Sequence, residues 1–302
     1  MEIVTSTIDF QNFLNQKRTS GEKIGFIPTM GALHDGHTSL FDASVKQQKT
    51  TAVSIFVNPL QFSPDEDFET YPKNLEEDVD ICRKHAVDIL FSPTQEEIFP
   101  EGLPEPEEIG GIGKIFEGKS RPFHFQGVAT VVSRLFEIVG ETCAYFGEKD
   151  FQQVVVVNDL VERNRFPVKV IQCPTILDDD GLALSSRNVY LSKDQRSDAS
   201  VLYRALLEGA NFISNGEKDS ENITKFISGL VKDESEGDLD YVGIVDFETF
   251  TPLDCLNTSG KQVQILIACQ FGNARLIDNI GVCLLYTSPS PRDLSTSRMP
   301  SS

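Results

Sequence analysis

The chain lacks tryptophan and is short of positive charge. Its 302 residues include 27 lysines and arginines against 46 aspartates and glutamates, which makes the formal net charge −19 at pH 7. This imbalance argues against nucleic acid as a partner, because phosphate backbones are bound by basic surfaces. Phenylalanine occurs 21 times. Without tryptophan, the core is therefore expected to consist of aliphatic side chains and phenylalanine.

Membrane and disulfide signals are also missing. No apolar run is long enough to span a bilayer, and the N-terminus has no basic-then-apolar signal segment. The six cysteines include no Cys-x-x-Cys pair, which favours reduced thiols over zinc ligands or a disulfide framework. We therefore predict a cytoplasmic protein with no membrane partner.

The first part of the chain, residues 1–176, alternates between strand-like and helix-like patterns. Such alternation predicts an α/β fold, here a Rossmann-like parallel sheet with helices on both faces. Ligands of these folds bind at the carboxyl ends of the strands. Strands are predicted at 24–29, 51–57, 87–92, 142–146 and 168–173, and helices up to about 48 and at 75–86, 127–139 and 152–165.

Residues 177–282 have a different pattern, with helices first and strands after them. We predict a smaller α+β C-terminal domain that acts as a lid. Its helices are predicted at 193–214 and 220–231, and its strands at 239–246 and 263–269. Residues 63–67 and the acidic stretch 100–108 are predicted to be loops, the second a solvated crossover without function.

The most informative segment runs from Ile27 to His37 and reads Ile-Pro-Thr-Met-Gly-Ala-Leu-His-Asp-Gly-His. A buried strand stops at Pro28, and a glycine-bearing turn then leads into a helix. A helix start of this kind binds phosphate through its free N–H groups and its dipole. His34 and His37 are three residues apart and would point at the phosphates from one helical face. The alternative is a pair of surface histidines in a glycine turn.

Two further segments carry groups suited to phosphate. Lys149 lies in Gly-Glu-Lys-Asp, between a predicted strand and helix, where a flexible ammonium can reach β- and γ-phosphates. Its neighbour Asp150 is a candidate for orienting Mg²⁺ or ribose. Ser185-Ser186-Arg187 offers two hydroxyls and a planar guanidinium. The alternatives are an ordinary turn before a helix N-cap for the first segment and a helix cap for the second.

Four segments occur in an informative order. They are Pro28-Thr29-Met30-Gly31, Val57-Asn58-Pro59-Leu60-Gln61-Phe62, Phe146-Gly147-Glu148-Lys149-Asp150-Phe151-Gln152-Gln153 and Gly181-Leu182-Ala183-Leu184-Ser185-Ser186-Arg187-Asn188. Together they resemble the pantothenate synthetase family, ligases that join pantoate to β-alanine with ATP. The resemblance extends from Met1 to about Val282. It implies a pantoyl-adenylate intermediate, release of AMP and pyrophosphate, and a homodimer.

The resemblance also implies the roles of individual residues. It makes His37 the proton donor and a catalytic residue together with His34, Lys149 and Arg187. Mg²⁺ would be held mainly by the ATP phosphates, with Asp150 as the protein group nearest to it. The implied ATP-binding residues are Met30, Gly31, Ala32, Leu33, His34, Asp35, Gly36, His37, Gly147, Glu148, Lys149, Asp150, Ile176, Leu184, Ser185, Ser186 and Arg187.

Amide side chains are the implied pantoate ligands. They suit hydroxyls and a carboxylate without the repulsion that a glutamate would bring. Gln61 and Gln153 are the candidates, Gln61 for both pantoate and β-alanine, and Asn58 would help to shape the pocket. The alternative for Asn58 is a plain turn before Pro59. Two positions depart from the family pattern: Phe123 stands where glycine is usual, and Leu177 where arginine is frequent.

Two rival functions share the histidine turn. A coenzyme adenylyltransferase would have the turn but lack the Asn-Pro-x-Gln-Phe and Gly-Glu-Lys-Asp-x-Gln-Gln segments. A non-catalytic ATP-binding regulator would have lost a phosphate-contacting group, whereas His34, His37, Lys149 and Arg187 are all present. Carboxylate-dependent exchange of pyrophosphate into ATP distinguishes the three functions.

The end of the chain departs from the protein-like pattern. From Cys283 to Ser302 the sequence resembles an in-frame translation of a sequencing-library adapter, so we expect residues 283–302 to be non-native and disordered. A genuine Ser/Pro-rich tail is the alternative that composition allows.

Overall fold

A six-stranded parallel sheet forms the centre of the computed structural model, which describes residues 1–63, 68–256 and 260–284. The strand order is β1-β4-β3-β2-β5-β6. The predicted Rossmann-like α/β class is confirmed, and each predicted strand is found within three residues of its expected ends. The strands are β1 (Glu2–Val4), β2 (Ile24–Thr29), β3 (Thr50–Ile55), β4 (Ile89–Phe91), β5 (Thr142–Gly147) and β6 (Val168–Cys173).

Helices cover both faces of this sheet because alternate side chains of each strand point in opposite directions. The helices are α1 (Thr7–Thr19), α2 (Asp35–Gln47), α3 (Leu75–Lys84), α4 (Gln95–Ile98), α5 (Glu117–Ser120), α6 (His124–Val139) and α7 (Phe151–Asn164). In β2, Phe26 packs beneath α1, α6 and α7, while the next residue, Ile27, packs beneath α2 and α3. β5 repeats this arrangement with Phe146 and Tyr145.

A three-stranded antiparallel sheet of order β7-β8-β9 follows, and its helices pack on one face of it. The elements are α8 (Lys193–Ala199), α9 (Val201–Ser214), α10 (Ser220–Glu234), β7 (Asp238–Asp246), β8 (Gln262–Phe271) and β9 (Ala274–Cys283). The single helix predicted at 193–214 is wrong, because two helices meet at Ser200. The Ser200 hydroxyl donates to the carbonyl of Ser197 at 2.8 Å, a local bond that competes with helix continuation.

The start and the end of the described chain differ from the sequence-based expectation. β1 and α1 were not predicted. At the other end, β9 continues through Cys283, which pairs with Gln262, and the backbone of Leu284 bonds to Gly260 and Lys261. Ordered structure thus continues two residues past the predicted boundary at 282. The remainder of the predicted tail, 285–302, and most of the predicted loop 63–67 lie outside the described residues.

Within the described part of the chain, no helix combines the length and the apolar character needed to cross a membrane.

Candidate active site

A cleft of about 800 Å³ lies between the carboxyl edge of the parallel sheet and the C-terminal sheet. This volume is in the range of small-molecule sites. The segments that follow β2, β3, β5 and β6 all reach it, because the carboxyl ends of parallel strands meet at one edge. The predicted residues that line it are Met30, His34, Gly36, His37, Asn58, Gln61, Gly147, Lys149, Asp150, Gln153, Ile176, Leu184, Ser185, Ser186 and Arg187.

Five residues predicted to bind ATP do not line the cleft, namely Gly31, Ala32, Leu33, Asp35 and Glu148. The backbone N–H groups of Ala32 and Leu33 donate instead to the Asp78 carboxylate, at 3.1 and 2.8 Å. The expectation that the whole turn from Met30 to His37 offers free N–H groups to phosphate is therefore wrong for these two residues.

Asp78 holds the histidine turn in shape. It extends from α3, is 3% exposed and has its pKa raised by burial, although the bonds from Leu33 and Ala32 oppose that rise. Gly31 has φ +83°, and a Cβ added there would lie 2.8 Å from the carboxylate. Only glycine meets both conditions. Sequence reasoning missed Asp78, because nothing in the pattern of α3 marks one of its several acidic residues.

His34 and His37 lie side by side, with their ring centroids 4.1 Å apart. His34 is the N-cap of α2, and its Nδ1 accepts the N–H of Gly36 at 3.1 Å. The Nδ1 of His37 accepts the N–H of His34 at 3.3 Å. Since each Nδ1 is an acceptor, each ring proton belongs on Nε2.

Both imidazoles are neutral at pH 7. Burial and then the Lys149 charge lower the pKa of His34 to about 4. Burial, His34 and Lys149 lower the pKa of His37 to about 3. The pair therefore offers two neutral N–H donors rather than two imidazolium ions.

Lys149 lies in the 3₁₀ turn Glu148–Asp150 between β5 and α7. Its ammonium is 3.6 Å from the Asp150 carboxylate, and its side chain is 19% exposed against 45% for Asp150. Its effect on the pKa of both histidines shows that the ammonium faces the same space as the rings.

Gln61 is held by Asn58, which is 1% exposed. The Asn58 amide donates to Oε1 of Gln61 and to the carbonyl of Gly127, each at 3.0 Å, and its Oδ1 accepts the N–H of Leu60. Asn58 is thus fully engaged within the protein. The Gln61 Nε2 faces Met30 Sδ at 2.9 Å.

Adjacent glutamines at the start of α7 have different surroundings. Gln152 is buried and donates to the carbonyls of Ile112 and Ile115, both at 2.8 Å, and it accepts the N–H of Glu117. Gln153 lines the cleft, and its amide has no hydrogen-bond partner among the described residues. The second glutamine is therefore the one available to a ligand.

The segment Ser185–Arg187 closes the cleft on the side of β6. Ser185 caps the 3₁₀ turn Ser186–Tyr190 and accepts the N–H of Arg187 at 3.3 Å. The Ser186 hydroxyl is 3.2 Å from that of Tyr71. Tyr71 was not predicted, and it links this segment to the loop that precedes α3.

A charged cluster forms the wall next to the C-terminal sheet. Glu117 is 4% exposed and receives a bidentate contact from Arg275, with Nε at 3.0 Å and Nη2 at 2.8 Å. Tyr241 also donates to it, at 3.3 Å, and Arg121 is 3.6 Å away. Sequence reasoning missed this cluster, since its members are far apart in the chain.

A parallel sheet whose carboxyl edge carries a phosphate-type histidine turn, beside a deep polar cleft, defines the class of α/β nucleotide-binding enzymes. A family model described as pantoate-beta-alanine ligase matches residues 2–281. The chain belongs to this family, which confirms the resemblance inferred from its motifs.

Curated relatives agree with this assignment. The pantothenate synthetases of Geobacillus sp. (strain WCH70) and Aquifex aeolicus (strain VF5) are 43% and 44% identical to the chain over 280 and 272 residues. These alignments cover 93% and 90% of the chain and 98% and 95% of the relatives.

Two solved structures have the same fold. The crystal structure of pantothenate synthetase from Thermus thermophilus matches with a TM-score of 0.86 at 42% identity, covering 93% of this chain and 99% of that one. The pantoate-beta-alanine ligase of Francisella tularensis, complexed with beta-gamma ATP and beta-alanine, matches with a TM-score of 0.73 at 35% identity, covering 93% and 97%.

Proposed function

We propose that the chain condenses (R)-pantoate with β-alanine in two steps through pantoyl adenylate. The observation that carries this proposal is the convergence of the histidine pair, Lys149, Gln61 and Gln153 on one cleft. Phosphate donors and amide groups for a small hydroxy acid are thereby in reach of the same space. Membership of the ligase family supports the overall reaction.

In the first step, a pantoate carboxylate oxygen attacks the α-phosphorus of ATP, and the bond to the pyrophosphate oxygen breaks. The products are pantoyl adenylate and pyrophosphate. This reaction needs alignment and charge stabilisation but no covalent enzyme intermediate. We assign the Nε2–H groups of His34 and His37 to the oxygens of the α-phosphate and of the departing pyrophosphate.

The neutral state of the histidines suits this role. A donor that is already oriented in a buried site stabilises developing negative charge without reorganising. The charge of a bound triphosphate favours protonation and so raises the pKa of both rings. Resemblance to the family makes His37 the proton donor, and the raised pKa in the bound state is consistent with that assignment.

Lys149, Ser185, Ser186 and Arg187 are assigned to the remaining phosphate charge. Lys149 acts as a mobile point charge and Arg187 as a planar fork. Because these groups come from opposite sides of the cleft, they hold the nucleotide between the parallel sheet and the segment after β6.

Mg²⁺ is assigned to the phosphates, with Asp150 as its protein neighbour. No group of three or more histidine, cysteine or acidic side chains in the described residues is arranged to hold a metal. Asp150 supplies a half-exposed carboxylate at the cleft. A single oxygen ligand of this kind fits Mg²⁺, which keeps several waters and binds substrate phosphates. When bound, the ion would offset phosphate charge.

The amide side chains are assigned to pantoate. Gln153 has a free amide, and Gln61 is oriented by Asn58, so both can exchange hydrogen bonds with hydroxyls and a carboxylate. The apolar side chains of Val128, Val131 and Leu135 line the same cleft and suit a branched carbon skeleton.

In the second step, the amine of β-alanine attacks the carbonyl carbon of the mixed anhydride. A C–N bond forms, the bond to the AMP oxygen breaks and a proton leaves the amine. The products are pantothenate and AMP. We assign Gln61 to β-alanine as well as to pantoate, on the basis of the resemblance.

Exchange of labelled pyrophosphate into ATP tests the proposal. Exchange that requires pantoate but not β-alanine, followed by AMP release when β-alanine is added, is the expected result. Exchange with a phosphorylated coenzyme precursor but not with pantoate would identify an adenylyltransferase. ATP binding without exchange would identify a regulator.

We further propose a cytoplasmic homodimer. The buried cysteines Cys82, Cys173 and Cys269 are free thiols, which is consistent with a reducing compartment, and the dimer rests on the resemblance. Light scattering should give a single mass of twice the 33.5 kDa chain, whereas a monodisperse monomer would refute the dimer.

A further inference from the structure

We propose that Asn279, on β9 of the C-terminal sheet, is a positioning residue for Lys149. This inference rests on the proposed function, since it concerns how Lys149 is held toward the phosphates. The geometry that carries it is a two-pronged contact. The Nδ2 of Asn279 donates to the carbonyl of Glu148 at 3.0 Å and to the carbonyl of Lys149 at 2.8 Å.

The Asn279 amide is itself oriented. Its Oδ1 accepts a hydrogen bond from Nε2 of Gln264 on the neighbouring strand β8, and Gln264 is fully buried. With Oδ1 used in this way, Nδ2 must face the turn, and both of its hydrogens have acceptors. A chain of amides therefore leads from the core of the C-terminal sheet to the backbone that carries Lys149.

This contact fixes a part of the structure that is otherwise weakly defined. The turn Glu148–Asp150 is only three residues long and joins β5 to α7. A lysine side chain is flexible, so the direction in which its ammonium can reach is set by its backbone. Lys149 lowers the pKa of both His34 and His37, which shows that the turn aims it at the histidine pair.

The chemistry of asparagine is specific to this position. Aspartate has the same shape but presents oxygen atoms only, so it would place negative charge opposite two carbonyl oxygens. Misplacement of a catalytic group by about 1 Å costs about a hundredfold in rate. Asn279→Asp should therefore lower pantoate-dependent pyrophosphate exchange by about a hundredfold.

The two half-reactions separate this role from a general structural one. Lys149 serves the phosphates, so attack of β-alanine on preformed pantoyl adenylate should remain close to the wild-type rate in Asn279→Asp. Equal losses in both half-reactions together with a lower melting temperature would overturn the proposal. Asn211→Asp is the matched control. It makes the same change on an exposed position of α9 and should leave both half-reactions unchanged.

A double-mutant cycle provides the decisive measurement. If Asn279 acts through Lys149, Asn279→Asp should cause no further loss of exchange in a Lys149→Ala background. Losses that add within about twofold would mean that the two residues act independently and would overturn the proposal. If Asn279→Asp does not fold, the same cycle with Asn279→Ser applies, because serine keeps one donor and adds no charge.

The wild-type protein distinguishes this proposal from the one it rests on. Absence of pantoate-dependent exchange in the wild type would refute the proposed function. Normal exchange in the wild type and in Asn279→Asp would refute the role of Asn279 alone.

Discussion

The histidine pair shows how burial changes the chemistry of a residue. Free imidazole has a pKa of about 6.5, but His34 and His37 remain neutral well below that value because burial and the Lys149 charge disfavour their protonated forms. Their Nδ1 atoms are occupied by backbone N–H groups, so only Nε2 is left for a ligand. The local chain thereby selects both the tautomer and the charge of each ring.

Replacing His37 by alanine should reduce adenylation while the fold remains intact. Loss of one preorganised donor to developing charge typically lowers the rate by about a hundred- to a thousandfold. The measurement is single-turnover pyrophosphate release with ATP and pantoate, accompanied by a circular dichroism spectrum. Near-normal release by a folded variant would rule out the assigned role.

The same pair should make the protein sensitive to acid. An unfolded imidazole takes up a proton near pH 6.5, at about its unperturbed pKa, whereas in the folded chain His34 and His37 do so at about 4 and about 3. The unfolded state thus binds more protons between these values, and the free energy of unfolding falls as the pH decreases. Urea titrations at about pH 7 and about pH 5 should show a smaller decrease for His37→Ala than for the wild type. An identical decrease in both would contradict this origin.

At the scale of elements, the turn between β2 and α2 depends on a helix that is distant in sequence. Asp78 on α3 accepts from Ala32 and Leu33, which lie 46 and 45 positions earlier in the chain. A buried carboxylate with a raised pKa is a cost to stability at neutral pH. Its presence is explained by the two backbone donors that it satisfies and by the turn geometry that it imposes.

Asp78→Ala should therefore affect stability and activity together. Unpaired buried N–H groups cost about 1–3 kcal/mol each, partly offset by removal of the buried charge. We expect a lower free energy of unfolding in urea and a higher KM for ATP in the exchange assay. The control is Asp80→Ala, on the same helix but with a side chain that is 66% exposed. Equal effects of the two substitutions would argue against a role for Asp78 in the turn.

At the scale of the whole molecule, the cleft exists because two sheets meet across polar contacts. The ion pair of Glu117 and Arg275 joins α5 to β9 across 158 positions of the chain. Burial by itself raises the pKa of Glu117, but the hydrogen bond and the charge of Arg275 outweigh it and lower the pKa. The wall of the cleft is therefore charged yet internally compensated.

Arg275→Met should destabilise the protein strongly, because it leaves Glu117 buried without its main partner. Breaking a buried pair in this way costs about 3–5 kcal/mol. Arg204→Met is the matched control, since its ion pair with Glu234 is exposed and should contribute about 0–1 kcal/mol. Chemical denaturation of both variants gives the comparison, and similar losses would show that the burial of Glu117 is not decisive.

Removal of residues 285–302 should change neither activity nor melting temperature. The family model ends at residue 281, and the last described contacts involve Cys283 and Leu284. The truncation is therefore made after Leu284, to retain the pairing of β9. A loss of activity or of thermal stability in the shortened chain would show that these residues belong to the functional protein.

Much of this architecture was determined by local sequence. Runs of apolar β-branched residues and helical spacing predicted five of the six parallel strands, and the motifs after β2, β3, β5 and β6 predicted one shared site. These predictions succeed because periodicity and turn residues act over a few positions. The strand β1 has only three residues, and so it gives too little pattern to detect.

Only the tertiary structure decided which polar groups hold the site in place. Asp78 beneath the histidine turn, Asn279 behind Lys149 and Arg275 on Glu117 all bond across 45 or more positions of the chain. Side chains of the same type occur throughout the sequence, and nothing local marks the ones that meet. Their partners are selected by the packing of strands and helices, because burial makes an unpaired polar group costly and so makes its pairing specific.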